Sequence, residues 1–270
     1  MKIELRYFTG TGNSLRVLRT CHEVFIENKH SVNLSAIKTG EQIDSADIIG
    51  FCFPVYAFGI PRICRKYLNQ LQRFEHKQKA FVWVTAGASD GSGFSINEAT
   101  KILKKKNCII IHTGVVQMPI NWTTSPKPPF PPDKEEATLI IENGVNLTKR
   151  MTQEIIAGVR NFHQFNYPNR YGTLKFYSDY LMFKFLGISN LWRNFKVYES
   201  CTGCGICANA CPTASIKIVD KKPLWTSTCE QCMRCVNYCP NEAIYQTMGG
   251  DTKGKNKYIE PSFKPIRNWA

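Results

Sequence analysis

Eight cysteines toward the end of the chain fall into two runs of identical spacing. Cys201, Cys204, Cys207 and Cys211 precede Pro212, and Cys229, Cys232, Cys235 and Cys239 precede Pro240. Each run reads C-x2-C-x2-C-x3-C-P. Three thiolates so closely spaced fold round one corner of a cubane, and the fourth is carried out of reach, which assigns it to a second cluster. On this rule Cys201, Cys204, Cys207 and Cys239 hold one 4Fe-4S cluster, while Cys229, Cys232, Cys235 and Cys211 hold the other. Every cysteine of the second run lies 28 positions after its counterpart, and Pro-Thr-Ala-Ser-Ile at 212–216 answers Pro-Asn-Glu-Ala-Ile at 240–244. A duplicated half-domain with pseudo-twofold symmetry is expected. Zinc accepts paired C-x2-C units, but its tetrahedron gives no reason for the third and fourth cysteine plus proline in both runs. Disulfides need an oxidising compartment, and the opening Met-Lys-Ile-Glu-Leu-Arg-Tyr lacks the apolar stretch of a secretory signal.

Residues around the runs bear on cluster potential. Gly203, Gly205, Ala208 and Ala210 let backbone amides approach the sulfurs, and Ile206, Ile216, Val236 and Ile244 keep water away. The second run is bulkier, with Glu230, Gln231, Met233 and Arg234, so the two clusters need not be equivalent. The plain expectation for Arg234 is a solvated side chain; the alternative is a cation that raises the potential of its cluster.

A second chemical signal stands near the N-terminus. Thr9-Gly10-Thr11-Gly12-Asn13-Ser14 follows an apolar run and opens an amphipathic one. Glycines there permit close backbone approach, helix amides point outward, and Thr9, Thr11, Asn13 and Ser14 supply neutral hydrogen-bonding groups, as a phosphate cradle requires. Neither the Gly-Lys-Ser/Thr ending of a Walker loop nor G-x-G-x-x-G is present. A simple helix cap is the competing reading.

The elements that position these residues follow from periodicity. Short apolar runs alternate with amphipathic stretches from Met1 to about Phe165, the pattern of an α/β fold with a parallel sheet. Strands are expected at Ile3 to Phe8, Val32 to Ala36, Asp47 to Phe53, Ala80 to Thr85 and Ile109 to Val116. Helices are expected over 13–28, 61–73, 92–106 and 135–165. Five strands with crossovers suit the doubly wound order 2-1-3-4-5, whose ligand sits at the carboxyl ends of strands 1 and 3. In the first strand Lys2, Glu4 and Arg6 alternate with apolar residues, which predicts an incompletely covered sheet. The proline-rich stretch 118–134 is expected to be irregular, with Trp122 covering a ligand or simply packing at the surface. Cys21, Cys52, Cys64 and Cys108 are expected as buried small hydrophobes. His22, His30, His76, His112 and His163 have no metal-ligand spacing.

Two resemblances draw these signals together. Residues from about Phe195 to Gln246 resemble two-cluster bacterial ferredoxins. The segment TGTGNS, with Phe53-Pro54-Val55-Tyr56-Ala57-Phe58-Gly59-Ile60-Pro61 and Ala86-Gly87-Ala88-Ser89-Asp90-Gly91-Ser92-Gly93 after later strands, resembles the three FMN loops of flavodoxins. The resemblance implies that Thr9, Gly10, Thr11, Gly12, Asn13 and Ser14 bind the ribityl phosphate. Pro54, Val55 and Tyr56 would flank one side of the isoalloxazine, with Tyr56 stacking unless it merely packs on the first helix. Ala86, Gly87, Ala88 and Gly93 would approach its other edge. The whole chain resembles flavodoxin-ferredoxin fusion proteins of anaerobic microbes. It implies a flavodoxin-like FMN domain at 1–165, an aromatic basic connector at 166–195, an α+β domain with two 4Fe-4S clusters at 196–248, and a basic tail at 249–270.

Bulk properties limit the partners. The formal charge is +14, and two clusters plus a flavin phosphate would bring it to roughly +8. Arg170, Lys175, Lys184 and Arg193 in the connector and Lys253, Lys255, Lys257, Lys264 and Arg267 in the tail carry basic character, which predicts docking of an acidic redox protein such as a ferredoxin, flavodoxin or redox enzyme. No nucleic-acid motif accompanies the charge. The apolar stretch 174–192 is interrupted by Lys175, Asp179 and Lys184, so no transmembrane span is expected. Between Tyr167 and Arg193 the aromatics Tyr171, Phe176, Tyr177, Tyr180, Phe183, Phe185 and Trp192 predict a helix packed on one or both domains, with a membrane-surface helix as the rival. Thiolate ligands need reducing surroundings, which predicts a cytoplasmic protein. Two functions remain: an electron carrier between FMN, the clusters and a protein partner, or an FMN-dependent reductase of a small organic substrate fed by the clusters. Direction of flow and oligomeric state are not specified.

Overall fold

The computed structural model describes residues 1–44, 46–164, 173–182, 190–247, 249 and 251–265. The expectations for Tyr167, Arg170, Tyr171, Phe183, Lys184, Phe185 and Arg267 lie outside the described residues, as do the side chains of Lys175, Phe176 and Asp179. The chain divides into two compact units. One comprises Met1–Thr9, Asn13–Met118 and Thr138–Pro168; the other comprises Gly10–Gly12, Pro119–Ala137 and Asn169–Ala270.

The first unit is built on a parallel sheet of β1 (Lys2–Tyr7), β2 (Ser31–Ala36), β3 (Ile48–Pro54), β4 (Gln78–Ala86) and β5 (Cys108–Gln117) in the order β2-β1-β3-β4-β5. This is the flavodoxin-like doubly wound order. Its helices are α1 (Asn13–Glu27), α2 (Arg62–Gln70), α3 (Ser95–Lys105) and the greater part of α4 (Lys134–Ile156). Cys64, Tyr67 and Leu68 of α2 and Ala99 and Leu103 of α3 share one core with Phe51, Phe53, Val82 and Ile110 of the strands. On α4, Met151 approaches β5 so closely at Gly114 that a Cβ there would stand 2.6 Å from its sulfur.

Two expectations fail here for definable reasons. The last helix stops at Ile156 instead of running to 165. Gly158 takes a left-handed φ of +74° and donates to Ile155 O, while Val159 N–H reaches back to Glu154 O at 2.8 Å, the paired bonds of a Schellman stop. Beyond the exposed Lys2, β1 is covered rather than half-wet, since Glu4 and Arg6 are only 6% and 4% exposed. Arg6 Nη1 donates to Glu4 Oε2 at 2.8 Å, and Asn33 Nδ2 donates to the same oxygen at 2.9 Å. A buried charge pair held by further hydrogen bonds replaces the apolar residues a central strand normally carries. Cys21, Cys52, Cys64 and Cys108 are buried as expected, and burial pushes the Cys21 and Cys108 thiols up to about 12.

The second unit contains α5 (Thr173–Met182), a 3-10 turn at Leu191–Asn194, and the short elements β6 (Phe195–Val197), α6 (Ile206–Asn209), β7 (Ile216–Val219), β8 (Lys222–Trp225), α7 (Arg234–Asn237) and β9 (Ile244–Gln246). β6 pairs antiparallel with β9 and β7 with β8. The repeat seen in the sequence is a repeat of backbone: α7 starts 28 positions after α6. Left-handed residues recur at the same interval, at Gly203 and Gln231, Gly205 and Met233, Ala214 and Glu242. Phe195, Ile216, Trp225, Met233, Val236 and Ile244 form its core, with Phe195 stacked on Trp225 at 5.0 Å. No helix or strand interrupts 118–133, as the prolines require. Among the described residues no helix is long and apolar enough to cross a membrane.

A buried chain of hydrogen bonds in the first unit makes its stability depend on pH. Trp83 Nε1 donates to His112 Nδ1 at 3.1 Å, so the ring carries its proton on Nε2 and presents it to Glu154 Oε2 at 3.0 Å. These bonds, first from His112 and then from Asn161, hold the Glu154 carboxyl below its ordinary 4.5. A depressed acid stabilises the fold above its unfolded value and loses that contribution as pH falls through its folded one. Glu154→Gln should therefore lower Tm at pH 7, with the gap from the parent closing below about pH 4.5. A gap constant from pH 3 to 7 would contradict this account.

Candidate functional site

The eight cysteines of the two runs assemble into two quartets, each of mixed origin. Cys201, Cys204, Cys207 and Cys239 line one pocket of about 360 Å³, part of it open to solvent, together with Ile206, Ile218, Pro223 and Ile244. Burial pushes the Cys207 thiol up to about 11, and the neighbouring sulfurs of Cys239, Cys204 and Cys201 add to the rise. In the second quartet burial lifts Cys229 to about 12, Cys232 to about 11 and Cys235 well above its ordinary value, and Cys211 acts on all three. Thus each run surrounds itself with the last cysteine of the other. The two last cysteines are held alike: Ser215 N–H donates to Cys211 Sγ and Ala243 N–H to Cys239 Sγ, both at 3.2 Å. Among the described residues no three Cys, His, Asp or Glu side chains converge as on a single ion. A cubane puts a separate iron under each thiolate, so its ligands need not converge, and the donor set of four sulfurs with amides aimed at them fits such a cluster.

The quartets differ in access. Cys204 is exposed and Cys201 and Cys239 are half-buried, whereas Cys229, Cys232 and Cys235 are all buried. Within the second run, Arg234 and Asn237 are both buried and hydrogen-bonded. Arg234 is 1% exposed, contrary to the solvated side chain expected. Its Nε donates to Gly10 O at 2.6 Å, its Nη1 to Ala210 O at 2.9 Å, and its guanidinium stands 5.1 Å over the Phe263 ring. Asn237 spends its whole amide: Nδ2 donates to Asn121 O and Met233 O, and Oδ1 accepts from Thr123 Oγ1 and Tyr258 N–H. Asn121 Nδ2 in turn donates to Cys232 O and to Thr11 Oγ1, each at 3.1 Å. The proline-rich stretch is thus part of the cluster-loop scaffold. Thr123 and Thr124 are fully buried there, while Trp122 is 49% exposed with its indole N–H on Thr124 Oγ1. No spacing rule picks out Asn121, Thr123 or Asn237; the bonds that tie Asn121 to Asn237, Cys232 and Thr11, and Thr123 to Asn237, span over a hundred positions.

The loops expected to hold a flavin leave the sheet at one edge, because β1, β3 and β4 lie side by side and parallel. In the first unit Ser14 Oγ lies 2.9 Å from Thr85 Oγ1, and Val55 N–H donates to Thr85 O at 3.0 Å, so Ser14 and Val55 meet at the end of β4. Pro54 ends β3, and Tyr56 pairs with Gly59 in a tight turn whose Ala57 and Phe58 both have positive φ. Tyr56 is half-buried against the core of α2 and α3. Gly93 lies under that turn: a Cβ there would stand 2.5 Å from Phe58 O. Ala86 O accepts from Met118 N–H, and Gly87 and Ala88 are exposed. Thr9 is buried and Asn13 half-buried. Gly10, Thr11 and Gly12 fall in the second unit, where Glu260 N–H donates to Thr11 O at 2.9 Å and a Cβ on Gly12 would stand 2.6 Å from the Cβ atoms of Glu260 and Phe263. Residues 9–14 bring three hydroxyls and one amide with no charged side chain, a donor set that fits a phosphate, although one side of Gly12 is taken by the tail.

Strand order and cysteine quartets define the class: a flavodoxin-like sheet joined to a ferredoxin-type segment. Residues 195–217 and 223–245 match the family described as 4Fe-4S binding domain. No curated protein matches the chain. Among solved structures it is similar to oxidised flavodoxin 1 from Bacillus cereus (12% identity, 55% of this chain and 98% of that one, TM-score 0.38). It is also similar to the flavodoxin of Streptococcus pneumoniae TIGR4 (12%, 59% and 100%, 0.41). General stress protein 14 of Treponema denticola in complex with FMN matches at 13% identity over 57% of this chain and 98% of that one, with a TM-score of 0.39. The strand order, not these distant likenesses, defines the fold.

Arg234 supplies the test of this scaffold. Replacing it by Ala strips two buried carbonyls of their charged donor, which should cost roughly 2–4 kcal/mol in unfolding free energy. Arg234→Lys should recover only a part, since an ammonium lacks the fork that reaches two acceptors in different directions. Equal stability of Arg234→Ala and the parent in denaturant titration would refute the role.

Proposed function

We propose that the chain is an electron-transfer iron-sulfur flavoprotein that holds two 4Fe-4S clusters and FMN and exchanges electrons with a protein redox partner. The observation that carries this reading is the mixed quartet: Cys239 shares a pocket with Cys201, Cys204 and Cys207, and Cys211 stands among Cys229, Cys232 and Cys235. We assign those quartets as the ligand sets. FMN passes one or two electrons and each cluster one at a time, which suits a chain that joins two-electron and one-electron carriers.

The residues set the conditions for that chemistry. Amide donors from Ser215 and Ala243 to the last cysteine of each run favour the more negative, reduced state. Trp225, Met233 and Val236 exclude water from the second quartet. The phosphate of FMN is assigned to Thr9, Gly10, Thr11, Gly12, Asn13 and Ser14, and its ring to Pro54, Val55 and Tyr56 on one side and Ala86, Gly87, Ala88 and Gly93 on the other. Support for this assignment is the common edge from which the three loops leave the sheet and the neutral donor set of the first. Thiolate ligands need reducing surroundings, so the cytoplasm is the proposed location.

Protein prepared without oxygen should contain about eight irons, eight sulfides and one FMN per chain. Material with iron but no flavin would remove the flavin half of the reading, and material with neither would remove all of it. Ligand sharing has its own signature. Cys239→Ala and Cys201→Ala should each cost about four irons, and the pair together no more than either alone, whereas Cys239→Ala with Cys229→Ala should cost all eight. Retention of four irons by that last pair would show that each run serves its own cluster.

A further inference from the structure

We propose that the solvent face of the β7–β8 hairpin, whose other face lines the pocket of Cys201, Cys204, Cys207 and Cys239, is the docking surface for an acidic one-electron carrier protein. This rests on the reading of that quartet as a cluster site. Access is the first argument, since Cys204 is exposed while Cys229, Cys232 and Cys235 of the other quartet are all buried. A partner reaching for an electron at the second unit's surface meets the first quartet.

The hairpin has the composition of a transient interface. Ile206 and Ile218, 39% and 38% exposed, line the pocket and reach solvent. The hairpin of β7 and β8 closes through Asp220 and Lys221, both at positive φ, as a two-residue hairpin turn requires. That turn sits on the cysteine loop: a Cβ on Gly203 would stand 2.5 Å from Lys221 O. On one face of the hairpin Ile218 and Pro223 line the pocket; on the other, Lys217 faces Leu224 and Val219 faces Lys222, all exposed. Val219 and Leu224, 46% and 53% exposed, share that solvent face with Lys217 and Lys222 and give it the apolar centre and charged rim usual in a protein interface; electron-transfer encounters use small ones.

Charge selects the partner. Lys217, Lys221 and Lys222 stand against a single hairpin acid, Asp220, and among the described residues none of the three lysines has an ion-pair partner. A four-thiolate cluster behind the hairpin would be anionic and by itself would repel a carboxylate-rich partner. The lysines reverse the sign that such a partner meets, which raises encounter rates and selects against basic proteins. This places the docking charge on the hairpin rather than on the connector residues Lys175, Lys184 and Arg193 that the sequence suggested.

The test uses the full chain with its clusters loaded and counted. An acidic plant-type 2Fe-2S ferredoxin is titrated into it at low ionic strength, with Kd read by calorimetry. The triple change Lys217→Glu, Lys221→Glu, Lys222→Glu should weaken binding about tenfold or more, and the loss should vanish in high salt. The matched triple to Gln should give a smaller loss and decides the matter if charge reversal costs iron. Lys101→Glu, Lys104→Glu and Lys105→Glu on α3, exposed and remote in sequence, should leave Kd within about twofold. Absence of binding by the parent, hairpin variants within twofold of it, or an equal loss from the α3 set would overturn the proposal. A parent that takes up no iron would instead overturn the cluster reading on which it stands.

Discussion

A cysteine that cannot reach the site of its own run is the constraint on which the second unit depends. The x3 step before each proline carries Cys211 and Cys239 away from the three thiols that precede them and into the company of the other three. Neither repeat can complete a quartet alone, so the two must fold together. Their apolar resources are slight: a core built largely from Phe195, Ile216, Trp225, Met233, Val236 and Ile244 is small for a unit with such short strands. A shared inorganic staple is the usual remedy for a core of that size, because its binding free energy is also folding free energy.

The same scarcity of regular structure explains the polar scaffold round the second quartet. Segments of three or four residues leave most backbone groups outside any ladder, and buried groups must find partners elsewhere. Asn237, Asn121 and Arg234 meet that demand by spending side-chain donors on the carbonyls of Met233, Cys232, Ala210 and Gly10. The proline-rich stretch suits this task, since it offers few backbone donors of its own and presents Thr123 and Thr124 in fully buried positions. Thr124 Oγ1 donates to Gln246 Oε1 at 2.7 Å, and Gln246 Nε2 to Gln231 Oε1 at 2.7 Å, so the network runs from the proline stretch through the last strand to the second cysteine loop.

How much of this was legible depended on whether the cause was local. The five strands fell within a residue or two of their expected limits because apolar runs bounded by loops are a local signal. The cysteine quartets were legible because metal-ligand spacing is a local signal with a known long-range consequence. Gly158 was a stop signal that the apolar pattern beyond it obscured, and the alternation in β1 misled because a buried Arg6–Glu4 pair writes the same letters as a wet face. The hydrogen bonds of Asn121 and Asn237 left no trace at all. An asparagine in a loop has many local uses, and its choice of a partner over a hundred residues away is made by tertiary packing.

Duplication fixes the backbone, and divergence then decides access. Left-handed positions are glycines in the first repeat, Gly203 and Gly205, but Gln231 and Met233 in the second, where the conformation costs about 1–2 kcal/mol per residue. The second repeat offsets that cost with contacts a glycine cannot make. Met233 is buried in the core, and Gln231 accepts from Gln246 and donates toward Cys229 Sγ at 3.8 Å. The first repeat gains the opposite property: with only hydrogens at Gly203, the hairpin turn at Lys221 settles on the loop, while Cys204 stays exposed. Bulk at 231 and 233 accompanies the closed quartet, while Gly205, with nothing within 4 Å of its Cβ position, accompanies the open one. From one duplicated frame the chain has made an inner site and an outer one.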